Sequence, residues 1–113
     1  MTPARAATLR WLAQRASAAV LAVCVLVHLA TILYATRQGL SGAAMLSRAH
    51  ASFVWPVFYA IFVVAVAVHA PLGLRTILDE WSGLRGRAVD VLLAAFALVL
   101  LAGGLRAVAV VTL

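Results

Sequence analysis

The chain has 113 residues, of which 66% are hydrophobic and 11% are charged. Soluble domains average about half apolar and about a quarter charged residues, so this chain has too little polar surface to coat a water-soluble globule. Its net charge of +6 comes from nine arginines, but a nucleic-acid-binding domain would need a basic face on a soluble fold, and the composition excludes that class. The length supports one domain, residues 1–113.

Three apolar stretches are long enough to cross a bilayer. Ala16–Ala35, Phe53–Leu74 and Val91–Leu113 contain 20, 22 and 23 residues, and a span needs about 20. The first run is longer than the core of a signal peptide and has no clear cleavage site, so we interpret it as a retained span. We therefore predict an all-α membrane protein with three transmembrane helices, at about residues 11–36, 52–78 and 88–112, which forms part of a larger transmembrane bundle.

Glycines and prolines indicate where these helices end, where they bend and where they pack closely. Gly39 is a plausible terminator of the first helix, and the segment Ser41–His50 in the following loop is compatible with a short interfacial helix. Pro56 lies in the first turns of the second helix, where proline is tolerated, whereas Pro71 lies well inside it and should bend it. In the third helix, Gly103-Gly104 should allow close packing against a neighbour.

The arginines indicate how the helices are oriented. Arginine-rich segments next to short spans tend to stay in the cytoplasm. This predicts a cytoplasmic N-terminus and a cytoplasmic second loop, with the first loop and the C-terminus outside. Trp55 and Tyr59 are expected near the outer interface as aromatic anchors. Six arginines flank the cytoplasmic side and two lie in the first loop: Arg5, Arg10, Arg15, Arg75, Arg85 and Arg87 against Arg37 and Arg48.

Two histidines lie inside predicted spans, and an ionisable residue there is by default a candidate for function. His28 follows Arg15 by 13 residues, roughly 20 Å along a helix, whereas His69 precedes Arg75 by 6 residues, roughly 9 Å. The two imidazoles are therefore expected at different depths, each facing a partner from another helix or subunit. Ligation of a haem iron by two histidines from packed helices is one use of such side chains.

The residues after His69 follow a spacing that is suited to binding a cofactor with acidic groups. Gly73 is one turn further on the same face, where a missing side chain leaves room, and Arg75 is placed to meet a carboxylate by a charge-assisted pair. This arrangement, followed by Asp79-Glu80, resembles the second-helix motif of the cytochrome b subunits of succinate dehydrogenase and fumarate reductase. Gln14–Ala18 resembles the entry to the first helix in that family, with Gln14 in the place of the usual histidine.

The resemblance implies a membrane-anchor cytochrome b subunit of a succinate:quinone oxidoreductase, without covalent chemistry on this chain. The implied cofactor is haem b, and the implied substrate is ubiquinone or menaquinone. The implied partners are an iron–sulfur subunit, an FAD flavoprotein subunit and a second membrane-anchor subunit. We expect the chain to be an integral protein, in contact with lipid, in the inner membrane of a bacterium.

The same resemblance assigns candidate site residues. Because each haem needs a second imidazole that this chain does not supply at the same depth, a second anchor or a second copy is expected to provide it. The assignments are His69 as a haem axial ligand, His28 as a possible ligand of a second haem, Arg75 and Gln14 for the haem propionates, and Arg15, Ser17 and Trp81 for the quinone.

Two other functions stay open from the sequence. A small proton-conducting or transport protein would use His28 and His69 as relay groups, but apart from Ser17 and Thr31 the spans offer almost no polar path between them. A haem-free membrane anchor would explain the basic second loop but leave the pairing of His69 with Gly73 without a purpose.

Overall fold

The computed structural model describes every residue from Met1 to Leu113 and contains four α-helices and no strand. Three of the helices are long and apolar enough to cross a membrane, which confirms the predicted all-α membrane fold. The fourth is a short helix between the first two spans. The helices are α1 (Pro3–Arg37), α2 (Gly42–His50), α3 (Val54–Ile77) and α4 (Arg87–Thr112), and α3 continues into a π-helical turn, Leu78–Ser82.

Helix α1 begins eight residues before the predicted start near residue 11. The hydroxyl of Thr2 accepts a hydrogen bond from the backbone N–H of Arg5 at 3.2 Å, and Pro3 occupies the first helical position. A threonine cap followed by proline is a common helix start, because proline has no N–H to leave unpaired. The Thr-Pro pair was the sequence signal for this earlier start.

The reversal after α1 depends on Gly39, as predicted. Gly39 has a φ of +65°, a left-handed conformation that glycine adopts without steric cost. The N–H of Leu40 donates to the carbonyl of Ala35, and the N–H of Gly39 donates to that of Thr36, which is the Schellman ending of a helix. Ser41 then caps α2 by accepting a hydrogen bond from the N–H of Ala44, so the predicted short helix is also confirmed.

Two ion pairs hold the connection between α3 and α4. Arg75 near the end of α3 pairs with Asp90 in the first turn of α4, and Asp79 in the π-helical turn pairs with Arg85 in the loop. Both pairs are substantially exposed, and pairs of this kind contribute at most about 1 kcal/mol. Their main effect is therefore to fix the direction in which α4 leaves the loop.

Helix α3 packs against both α1 and α4, which have little contact with each other, and α2 lies across α4 and α3. We call the end of the bundle with α2 and the C-terminus the α2 end, and the opposite end the N-terminal end. Only 8 of 113 residues are buried, most of them small, such as Cys24, Ala35, Ala65 and Ala67. With so small a core, the apolar outer surface must contact lipid or partner helices.

The closest approach between α3 and α4 is at Gly104. A Cβ atom built on Gly104 would lie 2.5 Å from Cγ1 of Val63, too close for any real contact, whereas a Cβ atom on Gly103 would meet nothing within 4 Å. Gly104 therefore lets the two helices come together, as small residues do at helix interfaces in membranes. The predicted role of the Gly-Gly pair is confirmed at Gly104, and Gly103 faces an open apolar groove instead.

This difference gives a matched pair of variants. Alanine raises helix propensity equally at both positions, so the comparison isolates the clash with Val63. We expect Gly104→Ala to be about 1–3 kcal/mol less stable than Gly103→Ala, the usual cost of overpacking, as measured by SDS-induced unfolding of the full-length chain in detergent. Equal stability of the two variants would contradict the packing described here.

Candidate functional site

Ser17 and His69 meet at the interface of α1 and α3. Ser17 Oγ lies 3.3 Å from Nδ1 of His69 and 3.1 Å from the carbonyl oxygen of Gln14, to which it donates. The direction of the contact with His69 depends on the tautomer of the imidazole. In the tautomer with the proton on Nδ1, Ser17 donates to the carbonyl of Gln14 and its oxygen accepts from His69. Nε2 of His69 then has a free lone pair, which is the arrangement of a metal-ligating histidine.

Gln14 and Gly73 lie one turn closer to the N-terminal end. A Cβ atom on Gly73 would be 3.3 Å from Nε2 of Gln14, so Gly73 makes room for the side chain of the neighbouring helix. Oε1 of Gln14 is buried without a hydrogen-bond partner, and a buried polar atom in this state typically costs about 1–3 kcal/mol. The unpaired Oε1 of Gln14 can accept a hydrogen bond from a donor group of a ligand. If the side-chain amide is rotated by 180°, its NH₂ group takes this position and can donate to a ligand oxygen.

The other predicted propionate residue, Arg75, is engaged within the chain by its ion pair with Asp90. A guanidinium group has five N–H donors, so this pair leaves donors for a second acidic group. Arg75 follows Gly73 by two residues on α3, which places it close to the level of Gln14. Arg75 contacts α4 through Asp90, whereas Gln14 meets Gly73, and Ser17 meets His69, between α1 and α3.

His28 forms a separate site. Its Nδ1 lies 2.9 Å from the hydroxyl oxygen of Tyr59, and its ring makes edge-to-face contacts with Tyr59 and Phe62 at centroid distances of 5.6 and 5.9 Å. Ser17 and His28 are 11 residues apart on α1, which is roughly 16 Å along the helix. The two histidines thus lie at different depths, and the hydroxyl group of Tyr59, which is expected near the outer interface, contacts His28.

A cavity of about 640 Å³ adjoins His28 at the α2 end, with walls from all four helices. Its size is within the range of about 300–1,000 Å³ typical of small-molecule sites. Most of its walls are apolar, and Thr31, Arg48 and Tyr59 are among the polar residues that line it. Sequence reasoning did not find this cavity, because it depends on how α2 folds back across α3 and α4.

The residues predicted to bind quinone are not joined by contacts within this chain. Arg15 is exposed, and its guanidinium group lies 5.5 Å from the centroid of the Trp11 ring, a cation–π contact. Ser17, two residues later, points away from Arg15 into the interface with α3. Trp81 is 86% exposed on the π-helical turn. Arg15 and Trp81 are therefore both available to a neighbouring subunit or ligand, whereas Ser17 is committed to His69.

These features define a helical integral membrane protein with polar residues buried between its spans. Residues 1–102 match a family described as the succinate dehydrogenase/fumarate reductase transmembrane subunit. The chain belongs to this family and is a membrane-anchor subunit of a succinate dehydrogenase or fumarate reductase. The family includes members with and without haem, so membership alone does not decide the cofactor. No curated protein and no solved structure matches the chain.

The pairing of His28 with Tyr59 gives a stability prediction. Tyr59→Phe removes the hydroxyl group and keeps the ring, so we expect a loss of about 0.6 kcal/mol, typical of side-chain hydrogen bonds between membrane helices. Tyr34→Phe is the control, because Tyr34 is 54% exposed. The measurement is SDS-induced unfolding of both variants, and an equal effect of the two would show that the hydrogen bond adds nothing.

Proposed function

We propose that this anchor subunit binds haem b through Nε2 of His69. The observation that supports this is the 3.3 Å contact of His69 Nδ1 with the hydroxyl group of Ser17, because in the tautomer with the proton on Nδ1 the other nitrogen, Nε2, is free for iron. The contact holds the ring by Nδ1, as supporting groups do at metal-bound histidines. Bound haem b supplies a one-electron redox centre whose potential depends on its axial ligands and its burial.

The surroundings of His69 suit a cofactor with an apolar body and acidic edges. Gly73 makes room for the side-chain amide of Gln14, which lies 3.3 Å from the place that a Cβ atom on Gly73 would take. Arg75 offers its remaining N–H donors to a propionate, and the buried amide of Gln14 offers a further polar contact. A second imidazole for the haem would come from a second anchor subunit, since no other histidine of this chain lies at the level of His69.

Quinone binds at the N-terminal end in this proposal. Arg15 is exposed there and donates a charge-assisted hydrogen bond to a quinone carbonyl. The exposed ring of Trp81 packs against the quinone or its binding subunit. Ser17 contributes indirectly, by orienting His69. Electrons reach this quinone from succinate through the flavoprotein and iron–sulfur subunits.

The orientation of the bundle follows from the arginines. The positive-inside rule places the N-terminal end, which carries six of the nine arginines, in the cytoplasm. The loop between α3 and α4 then meets the iron–sulfur subunit, and Asp79, Glu80 and Arg87 supply charged groups for that contact. We place the complex in the inner membrane of a bacterium.

His28 is the candidate ligand for a second haem. Its Nδ1 contacts the hydroxyl oxygen of Tyr59, and in the tautomer in which Nδ1 donates to that oxygen, Nε2 is free for iron. A second haem would again need an imidazole from outside the chain, because His28 and His69 are separated by roughly 16 Å along the bundle. Single substitutions of His28 and His69 distinguish a complex with one haem from a complex with two.

We expect His69→Ala to remove the haem held at His69, because the ligand is lost. The whole b-type signal of the purified complex disappears if His69 binds the single haem, and about half of it disappears if His28 binds a second one. The measurement is the dithionite-reduced minus oxidised spectrum, with a pyridine haemochrome titration for the number of haems. His50→Ala is the control, since His50 lies exposed at the end of α2.

The variant His28→Ala completes this experiment. An unchanged spectrum supports one haem at His69, and a loss of half of the signal supports two. A wild-type complex without any b-type signal would overturn the proposal and leave a haem-free anchor.

Arg15→Gln tests the quinone site. Loss of a charged donor should lower kcat/KM for quinone about 10- to 100-fold, while electron transfer from succinate to a water-soluble dye, which bypasses the quinone site, stays unchanged. Arg10→Gln changes an exposed arginine on the same helix and should affect neither rate. If the two variants behave alike, Arg15 acts only on topology.

A further inference from the structure

The charges of the chain are distributed very unequally between the two ends of the bundle. All three acidic residues, Asp79, Glu80 and Asp90, lie at the N-terminal end, where two of them pair with arginines. The α2 end has no carboxylate side chain, and none of its arginines forms an ion pair; these are Arg37, Arg48 and Arg106. This end therefore attracts an anionic group from outside the chain.

The cavity at the α2 end combines this charge with an apolar interior. Arg48 lines it, together with the amphipathic rings of Tyr34 and Trp55, residue types that favour the boundary between headgroups and hydrocarbon. The rest of its wall is mainly aliphatic and includes Ile32 and Val111. A ligand for this cavity has an anionic end near Arg48 and a long apolar portion.

We propose that the cavity binds one anionic phospholipid, with its phosphate at Arg48 and an acyl chain along the apolar wall toward His28. This inference goes beyond the proposed function: it does not depend on a haem at His69, and it excludes a second haem at His28. Helix α2 provides the site, because it carries Arg48 and packs on α4 and α3 to cover the cavity. The bound lipid would fill apolar space between α1 and α4, which have little contact with each other.

The chemistry favours a lipid over other anionic ligands. A free phosphate ester would leave the apolar wall uncovered. A zwitterionic lipid carries its own cation and gains less from an unpaired arginine. A haem held by His28 would need a second imidazole from another subunit, whereas the walls of this cavity come from this chain's own four helices.

The experiment measures lipid retention and thermal stability in the purified complex. After delipidation in detergent, we add phosphatidylglycerol, phosphatidylcholine with the same acyl chains, or glycerol 3-phosphate, and quantify retained lipid by mass spectrometry. Only phosphatidylglycerol should be retained and raise the Tm. Arg48→Gln should weaken its retention about fivefold, the effect expected of one arginine–headgroup contact.

Two further variants complete the test. Ala107→Phe places a ring into the cavity wall and should displace the lipid while Arg48 is intact. Arg10→Gln removes an exposed arginine at the opposite end and should retain the lipid as wild type does.

The proposal is overturned by any of four results. These are equal retention of phosphatidylcholine, an equal Tm increase with glycerol 3-phosphate, equal lipid loss in Arg10→Gln and Arg48→Gln, and a second haem that is lost in His28→Ala. None of the lipid measurements depends on a haem at His69, so this inference and the proposed function fail separately.

Discussion

The position of α1 along α3 depends on the hydrogen bonds between these two helices, because hydrocarbon cannot solvate polar groups. Ser17 with His69 and His28 with Tyr59 join the two helices at two levels. Each hydrogen bond aligns one helix along the other, and an axial shift of even one residue would leave an imidazole without its partner. The small residues in the core let the backbones come close enough for these short contacts.

The same contacts divide the bundle into two regions with different chemistry. Near the N-terminal end, Ser17 contacts His69, and Gln14 packs on Gly73 with its side-chain oxygen unpaired. Near the α2 end, His28 borders a mostly apolar cavity. One chain thus presents a polar cluster and an apolar cavity, and α3 contributes to both. Changes in α3 are therefore expected to affect both regions together.

Hydropathy predicts the three spans because their composition alone separates them from the loops. The roles of Gly39 and Gly104 could also be predicted, because a glycine at these places usually ends a helix or lets two helices pack closely. The pairing of His28 with Tyr59 could not be predicted. Runs of Ala, Val and Leu look alike at every shift, so they contain little information about which residue of α1 faces which residue of α3. The cavity and the ion pair Arg75–Asp90 depend on the conformation of the loops, which the hydrophobic periodicity of the sequence does not predict.

The hydroxyl groups of α1 have a consequence for biosynthesis. Thr8, Ser17, Thr31 and Thr36 each donate to a carbonyl of α1 itself. During translation, α1 enters the bilayer before α3, its main packing partner, has been made. Its hydroxyl groups already donate to carbonyl groups of the same helix at that stage, so they add no unpaired donor while α1 is a single helix in the bilayer. The contacts of Ser17 with His69 and of His28 with Tyr59 form only after α3 has been inserted. The two helices therefore pair after insertion, in the register that these contacts require.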